Sequence, residues 1–96
     1  MKTINFSHKA IDDLRQIWRY TYDQWDLRQA DHYYHSILDS IENIAKGTHA
    51  GQTFEPRKDY YRQRTGSHVI FYKMLDENTL YVVRILHKAM QFSKHL

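Results

Sequence analysis

Residues 60–86 read YYRQRTGSHVIFYKMLDENTLYVVRIL. Three stretches rich in β-branched and aromatic residues, Tyr60–Thr65, Ser67–Leu75 and Thr79–Leu86, are separated by Gly66 and by the cluster Asp76-Glu77-Asn78. Strand-forming side chains bounded by turn residues predict an antiparallel meander. The third stretch says most about the fold. Leu80, Val82 and Leu86 alternate with Tyr81, Val83 and Ile85, so both faces of this strand are apolar except at Arg84. One helical layer covers one face, and the other needs the C-terminal segment or a second protein.

The sequence before the meander supplies that helical layer. Thr3–Phe6 alternates as a short strand, and Ser7 stands where its hydroxyl can cap a helix. Ala10, Ile11, Leu14, Ile17, Trp18 and Tyr22 recur at three- and four-residue steps, with Asp12, Asp13, Arg15, Gln16 and Arg19 assigned to the opposite, polar face. Asp26 caps a second helix with Gln29 placed to reach back. Its stripe is Leu27, Ala30, Tyr34, Ile37, Leu38, Ile41, Ile44 and Ala45, and Gly47 ends it in a left-handed cap. So short a link makes the two helices an antiparallel hairpin. Residues 47–58, with two glycines and the only proline, read as a loop. Ala89, Met90 and Phe92 predict a short terminal helix within Lys88–Leu96. The expected fold is α+β: an N-terminal strand, then a helical hairpin packed on an antiparallel sheet, in the order β-α-α-β-β-β with a short C-terminal helix.

A chain of 96 residues supports one domain spanning 1–96. It has no cysteine, which excludes disulfides, thiolate zinc sites and cysteine nucleophiles. There is no signal-peptide-like apolar segment at the start and no apolar run near the ~20 residues that span a bilayer, so a cytoplasmic protein with no membrane association is expected. The net charge of +3 is unevenly spread. Residues 1–51 hold six Lys/Arg against seven Asp/Glu, while residues 52–96 hold eight against four, so an acidic partner is expected at the second half.

The late cations include Arg57, Lys58, Arg62, Arg64, Arg84, Lys88 and Lys94. Arg62 and Arg64, two apart on a strand, share a face and suit phosphates or carboxylates; the alternative is an edge strand protected by charge. Arg84 must meet an anion or the sheet rim to lie in an apolar strand. His87 follows that strand, where it is either a proton carrier or a hydrogen-bonded structural residue. His32 and His35, near Asp31 and Asp39, have metal-ligand spacing but no third ligand, so a solvated helix face is the expectation and no metal is assigned. Trp18, Tyr34 and Tyr72 read as core, and no phosphate loop or nucleophile triad is present.

Several stretches together resemble the ParE-type toxins of the RelE/ParE superfamily, the toxin halves of bacterial type II toxin–antitoxin pairs. They are Ala10-Ile11-Asp12-Asp13-Leu14 with Ile17-Trp18-Arg19-Tyr20, Gln29-Ala30 with Tyr33 before Ile37-Leu38, Ile41 to Gly47, Gly66 to Tyr72, Val83-Arg84-Ile85-Leu86-His87, and Met90 to Leu96. The resemblance implies a hairpin-on-sheet fold and a cognate antitoxin whose tail wraps and neutralises the toxin in a hetero-oligomeric complex. ParE-like members poison DNA gyrase, whereas RelE-like members cleave mRNA in the ribosome with a lysine-rich helix face, arginines and a late tyrosine. Here Lys46 is the only lysine of the second helix and no tyrosine follows Tyr81, which favours gyrase poisoning without a catalytic group or cofactor. Target contact is then expected at Arg62, Arg64, Arg84, His87, Lys88 and Lys94. Antitoxin contact is expected at Trp25, Tyr72, Leu80, Val82 and Arg84. Two alternatives remain: an mRNA endonuclease using Arg62, Arg64, Arg84, His87 and His95, and a degenerate toxin that acts only as an antitoxin-binding co-repressor.

Overall fold

The computed structural model describes residues 1–48 and 51–96. Strand β1 (Thr3–Phe6) leads into helices α1 (His8–Gln24) and α2 (Leu27–Lys46). Strands β2 (Gln52–Thr53), β3 (Tyr61–Thr65), β4 (His68–Asp76) and β5 (Thr79–His87) follow, and a 3₁₀ turn (Phe92–Lys94) lies near the end. The α+β hairpin-on-sheet architecture stands as expected. The sheet, however, is mixed: its order is β1-β5-β4-β3-β2, with β1 parallel to β5 and the other pairs antiparallel. The two-residue β2 lies within the segment expected to be loop, whose residues 49–50 fall outside the described ones.

The caps are those the sequence indicates. Ser7 Oγ accepts from Ala10 N–H at 2.9 Å, and Asp26 Oδ1 accepts from Gln29 N–H at 2.8 Å. Gly47 closes α2 at φ 80°, a left-handed conformation that favours glycine. The face of α1 that meets the sheet is rotated from the expected stripe. Ala10, Asp13, Leu14, Ile17 and Thr21 are buried, whereas Ile11 and Tyr22 are exposed. Asp13, assigned to the polar face, is therefore in the centre of the packed one.

Both sheet faces carry a core. Ala10, Leu14 and Ile17 of α1 and Ile37, Ile41 and Ile44 of α2 pack on Ile70, Tyr72, Leu80, Val82 and Ile85. The opposite face gathers Phe54, Tyr60, Val69, Phe71 and Leu86, with Val83, Phe92 and Leu96 laid against them. Ile85 thus lies with Leu80 and Val82, and Leu86 on the other side, which inverts the alternation expected after Val83. A bulge causes this: Phe71 pairs with Arg84 and Tyr72 with Val82, so Val83 is an extra residue in β5.

The C-terminal segment is a strap, and the expected helix shrinks to its single 3₁₀ turn. Phe92 packs edge-on to Phe71 at a centroid distance of 4.8 Å and to Phe54 at 6.3 Å. Arg84 Nη1 donates to the His95 carbonyl at 2.8 Å and Arg57 Nη1 to the Leu96 carbonyl at 3.0 Å. Two of the strap's backbone oxygens, those of His95 and Leu96, are thus taken by guanidinium groups from β5 and from the connection between β2 and β3. Among the described residues no helix is long and apolar enough to cross a membrane.

Candidate functional site

Strand periodicity puts Arg62 and Arg64 on the strap-covered face, opposite Phe71 and Val69 respectively. The strap covers the apolar part of that face and leaves its margin open. Gln52, Arg62, Gln63, Arg64, Val69, Lys88 and Phe92 line a groove of about 450 Å³ there. Arg62, Arg64 and Lys88 are exposed, while Val69 is buried and Phe92 partly so. Three of the six residues expected at the target surface are therefore gathered on one groove.

Arg84 is not among them. Its Nε and Nη2 both donate to the Asp13 carboxylate at 2.8 Å, a two-point fork. Asp13 Oδ2 also accepts from Ile85 N–H at 2.9 Å. The side chains of Arg84 and Asp13 are 14% and 10% exposed. The reason lies in the sheet edge. Strand β1 ends at Phe6, opposite Val82, and leaves the remainder of β5 without a neighbouring strand on that side. Ser7 N–H then donates to the Val82 carbonyl at 2.9 Å, Ser7 Oγ to the Val83 carbonyl at 2.6 Å, and Asp13 takes the Ile85 N–H. The guanidinium pKa is raised, chiefly by the Asp13 hydrogen bonds and against desolvation. Arg84 is thereby a joint between β5, α1 and the strap, and little of its side chain is left for the target and antitoxin contacts expected of it.

His87 also separates from the arginines. It pairs across the sheet with His68, their rings edge-to-face at 5.3 Å, on the helix-facing side. Asp13, Ile17, Tyr20, Ile85, His87 and Met90 border a hollow of about 250 Å³ beside this pair. Tyr33 of α2 reaches down to it. The Tyr33 hydroxyl accepts from Ser67 N–H at 3.0 Å and lies 2.6 Å from His68 Nδ1. Gly66 permits this approach, since a Cβ there would lie 2.7 Å from the Tyr33 ring, and its φ of +57° is also left-handed.

Desolvation, reinforced by the neighbouring His87 and opposed by Asp13, lowers the His68 pKa from 6.5 to about 4. Neutral His68 shares this hydrogen bond with the Tyr33 hydroxyl, its direction set by the imidazole tautomer. Between those two pH values the unfolded chain holds more protons at this site than the folded one, so stability falls as pH drops through the window. Thermal melting from pH 7 to pH 4 should show this decline, and His68→Gln should flatten it. An unchanged slope in that variant would remove His68 as its source. Neither Tyr33 nor His68 is among the expected site residues; their pairing depends on α2 crossing the β3–β4 turn.

The remaining expected residues are dispersed. Lys94 is exposed on the strap, and the His95 carbonyl is engaged by Arg84. Leu80 and Val82 are 0% exposed and Tyr72 4%, under the helices, so they are core and offer no antitoxin surface. Trp25 is the exception, 75% exposed at the tip of the helical hairpin beside exposed Leu27. Trp18 is half-buried, stacked on Tyr22, with its indole N–H donated to Asp31 at 2.9 Å. Among the described residues no group of three or more His, Cys, Asp or Glu could hold a metal ion.

Residues 4–92 match the family described as ParE toxin of type II toxin-antitoxin system, parDE. The chain is 36% identical to "Toxin ParE1" of Mycobacterium tuberculosis, over 94% of this chain and 93% of that one. It is equally identical to "Toxin ParE1" of Caulobacter vibrioides, over 100% of this chain and 99% of that one. Among solved structures it resembles the chromosomal ParDE toxin–antitoxin system of P. aeruginosa, with a TM-score of 0.75 at 14% identity, covering 91% of this chain and 96% of that one. The RelB–RelE antitoxin–toxin complex of Methanococcus jannaschii gives 0.57 at 16%, covering 96% and 99%, and both likenesses concern the fold. With the hairpin, the meander and the family match in agreement, the chain belongs to the ParE toxin family of type II toxin–antitoxin systems.

Proposed function

We propose that this toxin acts by binding DNA gyrase, holding the enzyme in one conformation and so blocking replication, and that an antitoxin with an acidic tail neutralises it. The observation that carries this reading is that no histidine is among the residues lining the basic groove and that His87 lies on the other face of the sheet. Cleaving RNA requires a base and an acid within about 2.6–3.2 Å of the reacting oxygens, beside the cation that holds the phosphate. Arg62, Arg64 and Lys88 line the groove, Arg84 is committed to Asp13, and His87 faces the opposite side of the sheet. Such an arrangement supports recognition by charge and shape over acid–base chemistry.

The relatives' names support a toxin and a partner antitoxin. The charge distribution supports the antitoxin's character, since the cationic residues outnumber the anionic ones in the second half of the chain. Trp25, exposed at the hairpin tip, is the part of the expected antitoxin set that still offers an apolar anchor.

Expression of the chain alone should arrest growth, with DNA synthesis failing before protein synthesis. Co-expression of the product of the neighbouring small open reading frame should restore growth. Translation failing first would contradict gyrase as the target, and no arrest at all would favour the co-repressor reading.

A further inference from the structure

We propose that the Arg62–Arg64–Lys88 groove binds the phosphodiester backbone of a DNA strand, so that the toxin touches the DNA held by its target as well as the protein. The inference deepens the gyrase reading by naming the chemistry that meets the groove.

Three observations support it. First, the cations are available. The ion pairs among the described residues engage Arg15, Arg19, Lys46 and Arg84, and none engages Arg62, Arg64 or Lys88. Second, they converge from two elements. Arg62 and Arg64 are successive same-face residues of β3, separated by about 6.6 Å of strand rise, and Lys88 follows β5 across the groove. Two guanidinium forks in line match a ligand that repeats its anions along a chain. Third, the lining contains glutamine amides, Val69 and Phe92 but no carboxylate, leaving an apolar floor for a sugar or base face.

An acidic peptide is the competing ligand, and the strand edge argues against it. Peptides that dock on a sheet do so by adding main-chain hydrogen bonds to an open edge. Strand β2 already pairs with Tyr61 and Arg62, and Gln63 Nε2 donates to the Arg64 carbonyl at 3.1 Å. Arg64 Nε in turn donates to the Gly66 carbonyl at 2.9 Å, which fixes its guanidinium at the groove. The groove therefore offers side-chain charge rather than main-chain pairing, and side-chain charge suits a polyanion.

The test is fluorescence anisotropy of a labelled single-stranded DNA oligonucleotide with the purified full chain, from about 50 to about 200 mM salt. Three phosphate contacts predict a slope of log K against log salt of about −2, falling to about −0.7 in Arg62→Ala/Arg64→Ala. Arg62→Lys/Arg64→Lys should restore the steeper slope, which a folding defect would not allow. An RNA strand of the same sequence should bind within about twofold, because the backbone charge is shared. A slope that the alanine pair leaves unchanged would overturn the proposal, as would tighter binding of a polyglutamate peptide or of the RNA. Gyrase assays separate the two claims. A chain that shows these slopes yet leaves gyrase untouched supports the groove assignment and contradicts the gyrase reading; the converse contradicts the groove alone.

Discussion

Asp13→Ala should lower the melting temperature by about 12 °C or more, the largest loss expected from any exchange of a charged residue. Removing the carboxylate leaves the Arg84 guanidinium, 14% exposed, without its two-point partner, and strips the Ile85 N–H of its acceptor. Breaking a buried ion pair from one side costs about 3–5 kcal/mol, and each kcal/mol moves the midpoint of a chain this size by about 4–8 °C. Arg84→Ala should cost a similar amount, because it isolates the anion and also frees the His95 carbonyl. Seen only as an arginine in an apolar strand, Arg84 would be expected to matter for partner binding more than for stability; the ion pair with Asp13 reverses that order. The double exchange Asp13→Leu/Arg84→Met should recover much of the loss, since an apolar pair leaves no uncompensated charge. Single variants that melt within about 4 °C of the parent would show that the joint contributes little.

Phe71→Ala should cost about 3–5 kcal/mol and release the strap as well. Phe71 is 0% exposed and meets Phe54 at 5.2 Å and Phe92 at 4.8 Å, so its ring joins β4 to both the β2–β3 connection and the C-terminal segment. Ile37 is also 0% exposed but lies in the other core, between α2 and the sheet. Ile37→Ala should therefore destabilise comparably without loosening the strap. Native-state hydrogen exchange separates the two effects. The amides of His95 and Leu96, which donate to the Phe92 carbonyl, should exchange faster in Phe71→Ala at a given global stability. Equal strap exchange in both variants would mean that the second core does not hold it.

How far the sequence discloses this molecule depends on the range of the interaction. The two helices and their caps are local features, and Ser7, Asp26 and Gly47 act where their spacing indicates. The β3–β4 and β4–β5 turns are likewise marked by Gly66 and by Asp76-Glu77-Asn78. The parallel seat of β1 beside β5 is a long-range choice that no local pattern encodes. The extra residue at Val83 is equally silent, because both faces of β5 are apolar and either phase looks acceptable. That bulge decides which face each later residue of β5 takes, Arg84 included.

At the site, the shared face of Arg62 and Arg64 follows from strand periodicity alone, whereas their meeting with Lys88 depends on the chain returning beside them. Asp13 carried a usable signal. Its spacing of three from Ala10 and four from Ile17 puts it on the buried stripe, and one acid there calls for one base in the apolar strand beneath. His87 is visible at the end of its strand, but its grouping with Tyr33 and His68 is not, since the three come from three elements that only the tertiary fold assembles.

The proposed binding of gyrase and the alternative cutting of RNA by this ParE-family toxin predict opposite outcomes in two assays. The direct measurement places the purified chain in a DNA supercoiling assay and, in parallel, in an in vitro translation mixture with end-labelled mRNA. Loss of supercoiling with accumulation of gyrase–DNA cleavage complexes, while the mRNA stays intact, is the predicted result. Unchanged supercoiling and cleavage-complex levels together with cut mRNA would contradict it.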